Sequence, residues 1–119
     1  MAMMAVAFPI LPGKTDAWKR FVAELNGARK AEFVASRAKA HVREQTFFQP
    51  TPMGDLVIVT LSGEDPGRSF GQMSSADDAF THWFLEQVKE LHGVDLAAPM
   101  AGGPPSELVI DSGEGGRPR

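Results

Sequence analysis

The chain has 119 residues, of which 43% are hydrophobic and 23% charged, a composition typical of one globular domain rather than of a multidomain enzyme. Its 12 basic and 15 acidic side chains give a net charge of -3, which does not favour binding to phosphate backbones, so we predict no nucleic-acid partner. The absence of cysteine excludes disulfides and thiolate chemistry. The apolar stretches are short and the first residues lack a basic segment, so we predict no membrane partner and a cytoplasmic location.

The N-terminal third of the chain predicts a strand followed by a helix. The apolar run Met3–Ile10 is closed by Pro12-Gly13, as expected of a short buried strand. Apolar side chains then recur at steps of three and four residues from Trp18 to Leu25, which indicates an amphipathic helix. Because the apolar direction continues beyond Asn26-Gly27, we expect this helix to extend to about Arg37.

The remainder of the chain predicts a hairpin, a helix and a last strand. Val42–Gln49 and Leu56–Leu61 flank a loop rich in Pro and Gly, and the second run is apolar enough to be a central strand. A short helical turn is expected over Arg68–Ser74. A longer helix is expected to start near Ser75–Asp78 and to stop at Gly93. Glu107–Asp111 is expected to be the last strand.

This order predicts an α+β, ferredoxin-like βαββαβ domain over residues 1–112, with a disordered tail over residues 113–119. Its four-stranded antiparallel sheet would carry two helices on one face, because both crossovers are right-handed. The other face would be apolar. Since an exposed aliphatic sheet favours association, we predict a homodimer that packs sheet against sheet.

Several segments resemble the dimeric α+β barrel superfamily, which includes antibiotic-biosynthesis-type monooxygenases and many small uncharacterised bacterial proteins. The resemblance covers residues 3–111 and is carried by Phe48–Asp55, His82–Phe84, Gln87-Val88 and His92–Leu96. It implies a dimer and a pocket between sheet and helices for a small apolar or aromatic ligand. It also implies a cofactor-independent, monooxygenase-like activity, although no set of catalytic residues aligns with that of the family.

Arg29 is the most informative candidate site residue. On a helical wheel that starts from Trp18 at 0°, it falls within the buried stripe between Val22 and Leu25. A buried guanidinium must be paired or face a polar cavity. One interpretation is an ion pair with Glu32 or with a strand residue, and another is that the helix ends at Asn26 and changes phase. The functional interpretation is a ligand pocket whose strand wall includes Glu44 or Gln49.

His41 and Trp83 complete the predicted ligand-binding set of Arg29, His41, Gln49 and Trp83. Trp83 lies at the border of the apolar face of its helix, where an aromatic ring either packs in the core or walls a cavity. His41 has no predicted partner. His92 ends the same helix as Trp83, where a partial positive charge is favourable.

The sequence predicts no bound metal and no cofactor. No two of the three histidines are spaced at i, i+4, although haem binding by His41 or His82 is an alternative that an absorbance spectrum would reveal. Two functions remain open, a small-molecule binder or enzyme and a non-catalytic dimeric module. A cavity lined by Arg29, His41 and Trp83 would favour the first, whereas solid packing there would favour the second.

Overall fold

A computed structural model describes residues 2–97 and 106–113 of the chain. This part of the protein contains three strands and four helices. In chain order they are β1 (Ala2–Pro9), α1 (Thr15–Asn26), α2 (Lys30–Lys39), β2 (Val42–Thr51), β3 (Gly54–Gly63), α3 (Pro66–Ser75) and α4 (Ala79–His92).

The three strands form one antiparallel sheet in the order β1-β3-β2. The prediction that β3 is the central strand is confirmed. Val57 pairs with Phe8 on one side and with Phe48 on the other, and Leu61 pairs with Met4 and Glu44. Because side chains alternate along a strand, each of these rungs directs its members to a single face.

The predicted four-stranded ferredoxin-like βαββαβ sheet is wrong. In place of a fourth strand, Ser106 makes an isolated bridge with Ala5, with its N–H 2.8 Å from the Ala5 carbonyl oxygen. Leu108, Val109 and Ile110 are 44%, 71% and 80% exposed. A run of three apolar residues is too short to bury much area on one face of a sheet, because neighbouring side chains point to opposite faces.

The single long helix that we expected over residues 15–37 is also wrong, because it is divided into α1 and α2. Gly27 follows α1 with φ -124° and ψ -104°. These angles lie outside the helical region, and glycine tolerates them because it has no Cβ atom. Arg29 precedes the first residue of α2, Lys30. The break changes the helical phase, so the wheel that starts from Trp18 does not apply to α2.

The two remaining helices have clear start and stop signals. The Asp65 carboxylate accepts a hydrogen bond from the Arg68 N–H, and α3 is a full helix rather than the predicted turn. Asp78 caps α4 by accepting from the Thr81 N–H at 2.8 Å. The predicted stop at Gly93 is confirmed, since this residue lies in the left-handed region with φ 71°.

All four helices contribute side chains to the same face of the sheet, where the core lies. Leu61 and Leu91 are the largest fully buried side chains, and each contributes about 1.5–3 kcal/mol by leaving water. The centre of the core consists of Ile10, Trp18, Phe21, Val57 and Leu91.

The opposite sheet face is not covered by the described helices. Ile58 lies at its centre, between Ala7 on β1 and Phe47 on β2. Phe47 is 53% exposed and Met3 is 67% exposed. The neighbouring rungs of this face carry Arg43 and Gln45 on β2 and Thr60 and Ser62 on β3. The predicted apolar second face is therefore apolar only around Ile58 and Phe47, with polar side chains beside them.

Two further predictions concern the ends of the chain and the membrane. Within the described ranges, no helix has both the length and the apolar character needed to cross a bilayer. Most of the predicted disordered tail, residues 114–119, lies outside the described residues, and Gly113 is exposed.

Candidate functional site

A cavity of about 280 Å³ lies between the helices and the sheet, and we call it the helix–sheet cavity. The side chains that line it are mostly aliphatic or aromatic and come from all four helices and all three strands. Its size is near the lower end of ligand-binding pockets. Five of its lining residues are polar, namely Asn26, Arg37, Glu44, Thr46 and His92.

A buried ion pair stands at one end of this cavity. The Arg37 Nε–H donates to Oε1 of Glu44 at 2.7 Å, and the two side chains are only 8% and 7% exposed. Glu44 is in turn on the rung of Leu61. Because each charge compensates the other, the pair can exist away from water.

Two aromatic rings surround the Arg37 guanidinium. Its central carbon lies 4.8 Å from the centre of the Phe33 ring and 4.6 Å from that of Phe84, distances at which a cation is attracted to the ring. The Nη1 atom donates to the Ser36 hydroxyl at 2.9 Å. The Nη2 atom, by contrast, is buried and has no hydrogen-bond acceptor among the described residues.

A buried N–H group without a partner requires an explanation, because it costs about 1–3 kcal/mol. Arg37 also borders a second cavity of about 20 Å³, which it shares with Ser74 and Thr81. That space holds no more than about one water molecule. Of the two cavities beside Arg37, only the helix–sheet cavity can hold an organic molecule.

His92 is the polar residue at the other end of the helix–sheet cavity. It is 6% exposed, and its Nδ1 atom lies 2.8 Å from the Pro9 carbonyl oxygen. Burial lowers the pKa of His92, and the bond to Pro9 opposes that shift only in part. Desolvation thus acts against the partial positive charge that we expected at this helix end.

Arg29 and Trp83 lie together, outside the lining of the helix–sheet cavity. Arg29 donates to Glu24 at 2.7 Å and to Glu32 at 3.2 Å, while its guanidinium carbon lies 4.0 Å from the centre of the Trp83 ring. The hydrogen bond to Glu24 raises the pKa of Arg29. The ion-pair alternative is thus the one seen here, and the Arg29 side chain is 30% exposed.

His41 and Gln49 are also outside that lining. His41 is exposed and has φ 57°, so its backbone turns the chain from α2 into β2. The Gln49 amide donates to the carbonyl of its neighbour, Pro50. The structure thus brings Arg29 next to Trp83 but does not bring the four predicted residues together, and their role in ligand binding stays a prediction.

Sequence reasoning included Glu44 but missed Arg37 and His92. Arg37 enters the sequence analysis only as the end of an over-long helix. The sequence contains one signal for the burial of Arg37. Phe33 lies one helical turn before it on the same face, and a carboxylate that can pair with it, Glu44, follows seven residues later. For His92, the signal was its position one residue after the apolar Leu91.

Neither a metal site nor a family assignment emerges from the described residues and the sequence comparisons. Over residues 2–97 and 106–113, no three His, Asp or Glu side chains lie close enough to hold a metal ion. The sequence matches no protein-family model and no curated protein. The resemblance to the dimeric α+β barrel superfamily therefore stays a prediction.

Proposed function

We propose that this protein binds a small, mostly apolar molecule with a hydrogen-bond acceptor, such as a ketone carbonyl, in the helix–sheet cavity. The observation that carries the proposal is the Arg37 guanidinium, which lines this cavity and whose Nη2 atom has no acceptor within the described part of the chain. Because Nη2 is covered by neighbouring side chains, a carbonyl oxygen that completes the hydrogen bonding of the guanidinium must displace one of them. The rest of the ligand would contact the aliphatic and aromatic lining.

The Arg37–Glu44 pair favours a neutral ligand over an anionic one. Glu44 already compensates the guanidinium charge at 2.7 Å. A ligand carboxylate would add a second negative charge next to Glu44 in an apolar cavity, which is costly. A neutral acceptor avoids this repulsion and still accepts from a charged donor, whose hydrogen bonds are the stronger ones.

The proposal can be tested with two probes of similar shape, acetophenone and ethylbenzene, of which only the first has a carbonyl group. Calorimetric titration gives their Kd values for the wild type and for a double variant, Arg37→Met with Glu44→Leu, which removes both charges together. We expect the variant to weaken acetophenone binding about tenfold relative to ethylbenzene binding. Ethylbenzene should bind both proteins equally well.

Arg29→Met provides the matched control. This arginine also pairs with glutamates and covers an aromatic ring, but it does not line the helix–sheet cavity. We expect it to leave the affinities of both probes unchanged. Equal changes for the two probes in the double variant would overturn the role of Arg37, and no binding of either probe would favour the non-catalytic module.

We also propose that the protein forms a homodimer through the sheet face that carries Ile58. Exposed Phe47 and Met3 lie on this face among polar side chains such as Arg43 and Gln45, and exposed apolar groups with a polar surround favour association. We expect light scattering to give twice the chain mass of 12.8 kDa, and Ile58→Lys to give the monomer. Val34→Lys, at a 55% exposed position on α2, is the control. A monomeric wild type at micromolar concentration would refute the dimer.

The monooxygenase-like and non-catalytic interpretations both stay predictions, as does the cytoplasmic location. A binding site with a donor and an apolar wall serves a binder and an enzyme equally. The probe experiment above separates a ligand-binding protein from a purely structural one.

A further inference from the structure

His92 holds one of its ring nitrogens in a fixed role. The Nδ1 atom lies 2.8 Å from the Pro9 carbonyl oxygen. Because a carbonyl oxygen can only accept, Nδ1 must carry the hydrogen of this bond. In the neutral ring, the other nitrogen, Nε2, is then a hydrogen-bond acceptor.

The Nδ1 contact is the hydrogen bond that the His92 side chain makes within residues 2–97 and 106–113, and Nε2 has no donor there. The imidazole lines the helix–sheet cavity, with its centre 5.6 Å from that of the Phe8 ring. Since burial lowers the pKa of His92, the ring is neutral near pH 7 and keeps this lone pair. The cavity therefore contains an acceptor that protein groups do not use.

The two polar ends of the cavity are well separated. His92 contacts Phe8, which pairs with Val57, whereas Arg37 binds Glu44, which pairs with Leu61. The two rungs are four residues apart along β3.

We infer that the ligand of the helix–sheet cavity is a hydroxy ketone, with its carbonyl group at the Arg37 end and its hydroxyl group at the His92 end. Its carbonyl oxygen would accept from Arg37, and its hydroxyl would donate to Nε2 of His92. A benzene ring with these groups in para positions is a simple probe that presents them at opposite ends. This inference rests on the proposed function and assigns the hydroxyl end of the same site.

The experiment compares 4-hydroxyacetophenone with 4-methylacetophenone, which differ only in the group at the His92 end. The variant His92→Asn retains an amide N–H for the Pro9 carbonyl but has no atom equivalent to Nε2. We expect this variant to weaken the hydroxyl compound about tenfold relative to the methyl compound. The Kd values of unsubstituted acetophenone for the two proteins report any change in the cavity wall that does not involve the hydroxyl group.

The control is His82→Asn, which changes a 63% exposed histidine of the same helix, paired with Asp77. We expect this variant to bind 4-hydroxyacetophenone and 4-methylacetophenone with the same ratio of Kd values as the wild type. As a second measurement that needs no variant, the 15N resonance of His92 Nε2 in the wild type should shift with 4-hydroxyacetophenone and not with 4-methylacetophenone.

The outcomes separate this inference from the proposed function. If acetophenone binds but the hydroxyl group gives no advantage in the wild type over His92→Asn, or the Nε2 resonance does not move, the role of His92 is refuted and the Arg37 site stands. If acetophenone and ethylbenzene both fail to bind, both proposals are overturned.

Discussion

Arg37 and Glu44 connect the end of α2 to the start of β2 through a 2.7 Å hydrogen bond in which both side chains are more than nine-tenths buried. Only Ala40 and His41 separate the two elements. Ser69 of α3 donates to the Ala40 carbonyl at 2.6 Å in the same region. The ion pair thus contributes both to the fold at this corner and to the polar end of the helix–sheet cavity.

Breaking this pair from one side should be strongly destabilising. Arg37→Met leaves the Glu44 carboxylate buried without a counter-charge, so we expect a loss of about 3–5 kcal/mol in the free energy of unfolding. The double variant Arg37→Met with Glu44→Leu removes both charges and should recover most of that loss. Urea denaturation of the three proteins measures both effects. A loss in the double variant equal to that in Arg37→Met would show that packing by the arginine stem dominates.

Arg29→Met should destabilise the protein much less than Arg37→Met. Arg29 is 30% exposed, and its partners Glu24 and Glu32 are 42% and 49% exposed, so neither carboxylate is stranded when the guanidinium is removed. Urea denaturation under the same conditions gives the comparison. If the two single variants lose equal stability, the ion pair of Arg29 is as important to the fold as that of Arg37.

These two arginines show how far the sequence could predict the site. The apolar pattern that starts at Trp18 correctly predicts the buried face of α1, because Trp18 and Phe21 are buried. The same pattern placed the buried arginine at residue 29 because it was continued through Asn26-Gly27. A break in a helix changes the direction of every later side chain. The helix propensities of Asn and Gly predict only a weakened helix at this point, whereas the structure has a complete break.

Local sequence patterns predict the hairpin and the central strand of the sheet. The β2–β3 hairpin follows from the Pro/Gly loop between a run with interleaved polar residues and an apolar run, and the central position of β3 follows from its lack of alternation. The fourth strand did not follow. Whether Leu108–Ile110 joins β1 depends on the area it buries against distant residues, which no local pattern contains.

Gly93 should be difficult to replace because it has a left-handed backbone with φ 71°. A Cβ atom at this position would meet only Leu11, at 3.5 Å or more, so the cost of Gly93→Ala comes from the backbone and should be about 1–2 kcal/mol. Thermal denaturation measures the loss.

Gly71→Ala is the matched control for this prediction and should have the opposite effect. Gly71 lies within α3, and a Cβ there would have no atom within 4 Å. Alanine at this position should stabilise the protein by about 0.5–1 kcal/mol, because glycine loses more backbone entropy in a helix. A stabilising Gly93→Ala would show that the turn after α4 does not need the left-handed conformation.

His92 should make the protein less stable as the pH falls below about 6.5. Burial lowers the pKa of His92 in the folded state below its value of 6.5 in the unfolded chain. Between these two pKa values the unfolded state takes up a proton that the folded state does not, so acidification favours unfolding. Above pH 6.5 the ring is neutral in both states, and this contribution to the pH dependence disappears.

The measurement is the free energy of unfolding of the wild type and of His92→Asn between pH 5.5 and 8. The other ionisable groups are common to both proteins, so the difference between the two curves isolates His92. Asp78 and Glu90 have lowered pKa values, through bonds from Thr81 and Lys14 respectively, and as carboxylates they act in a more acidic range. We expect the wild type to lose stability relative to His92→Asn as the pH falls through this window. Parallel curves would show that His92 titrates in the folded protein as it does in the unfolded chain, and that it is not desolvated at the end of α4.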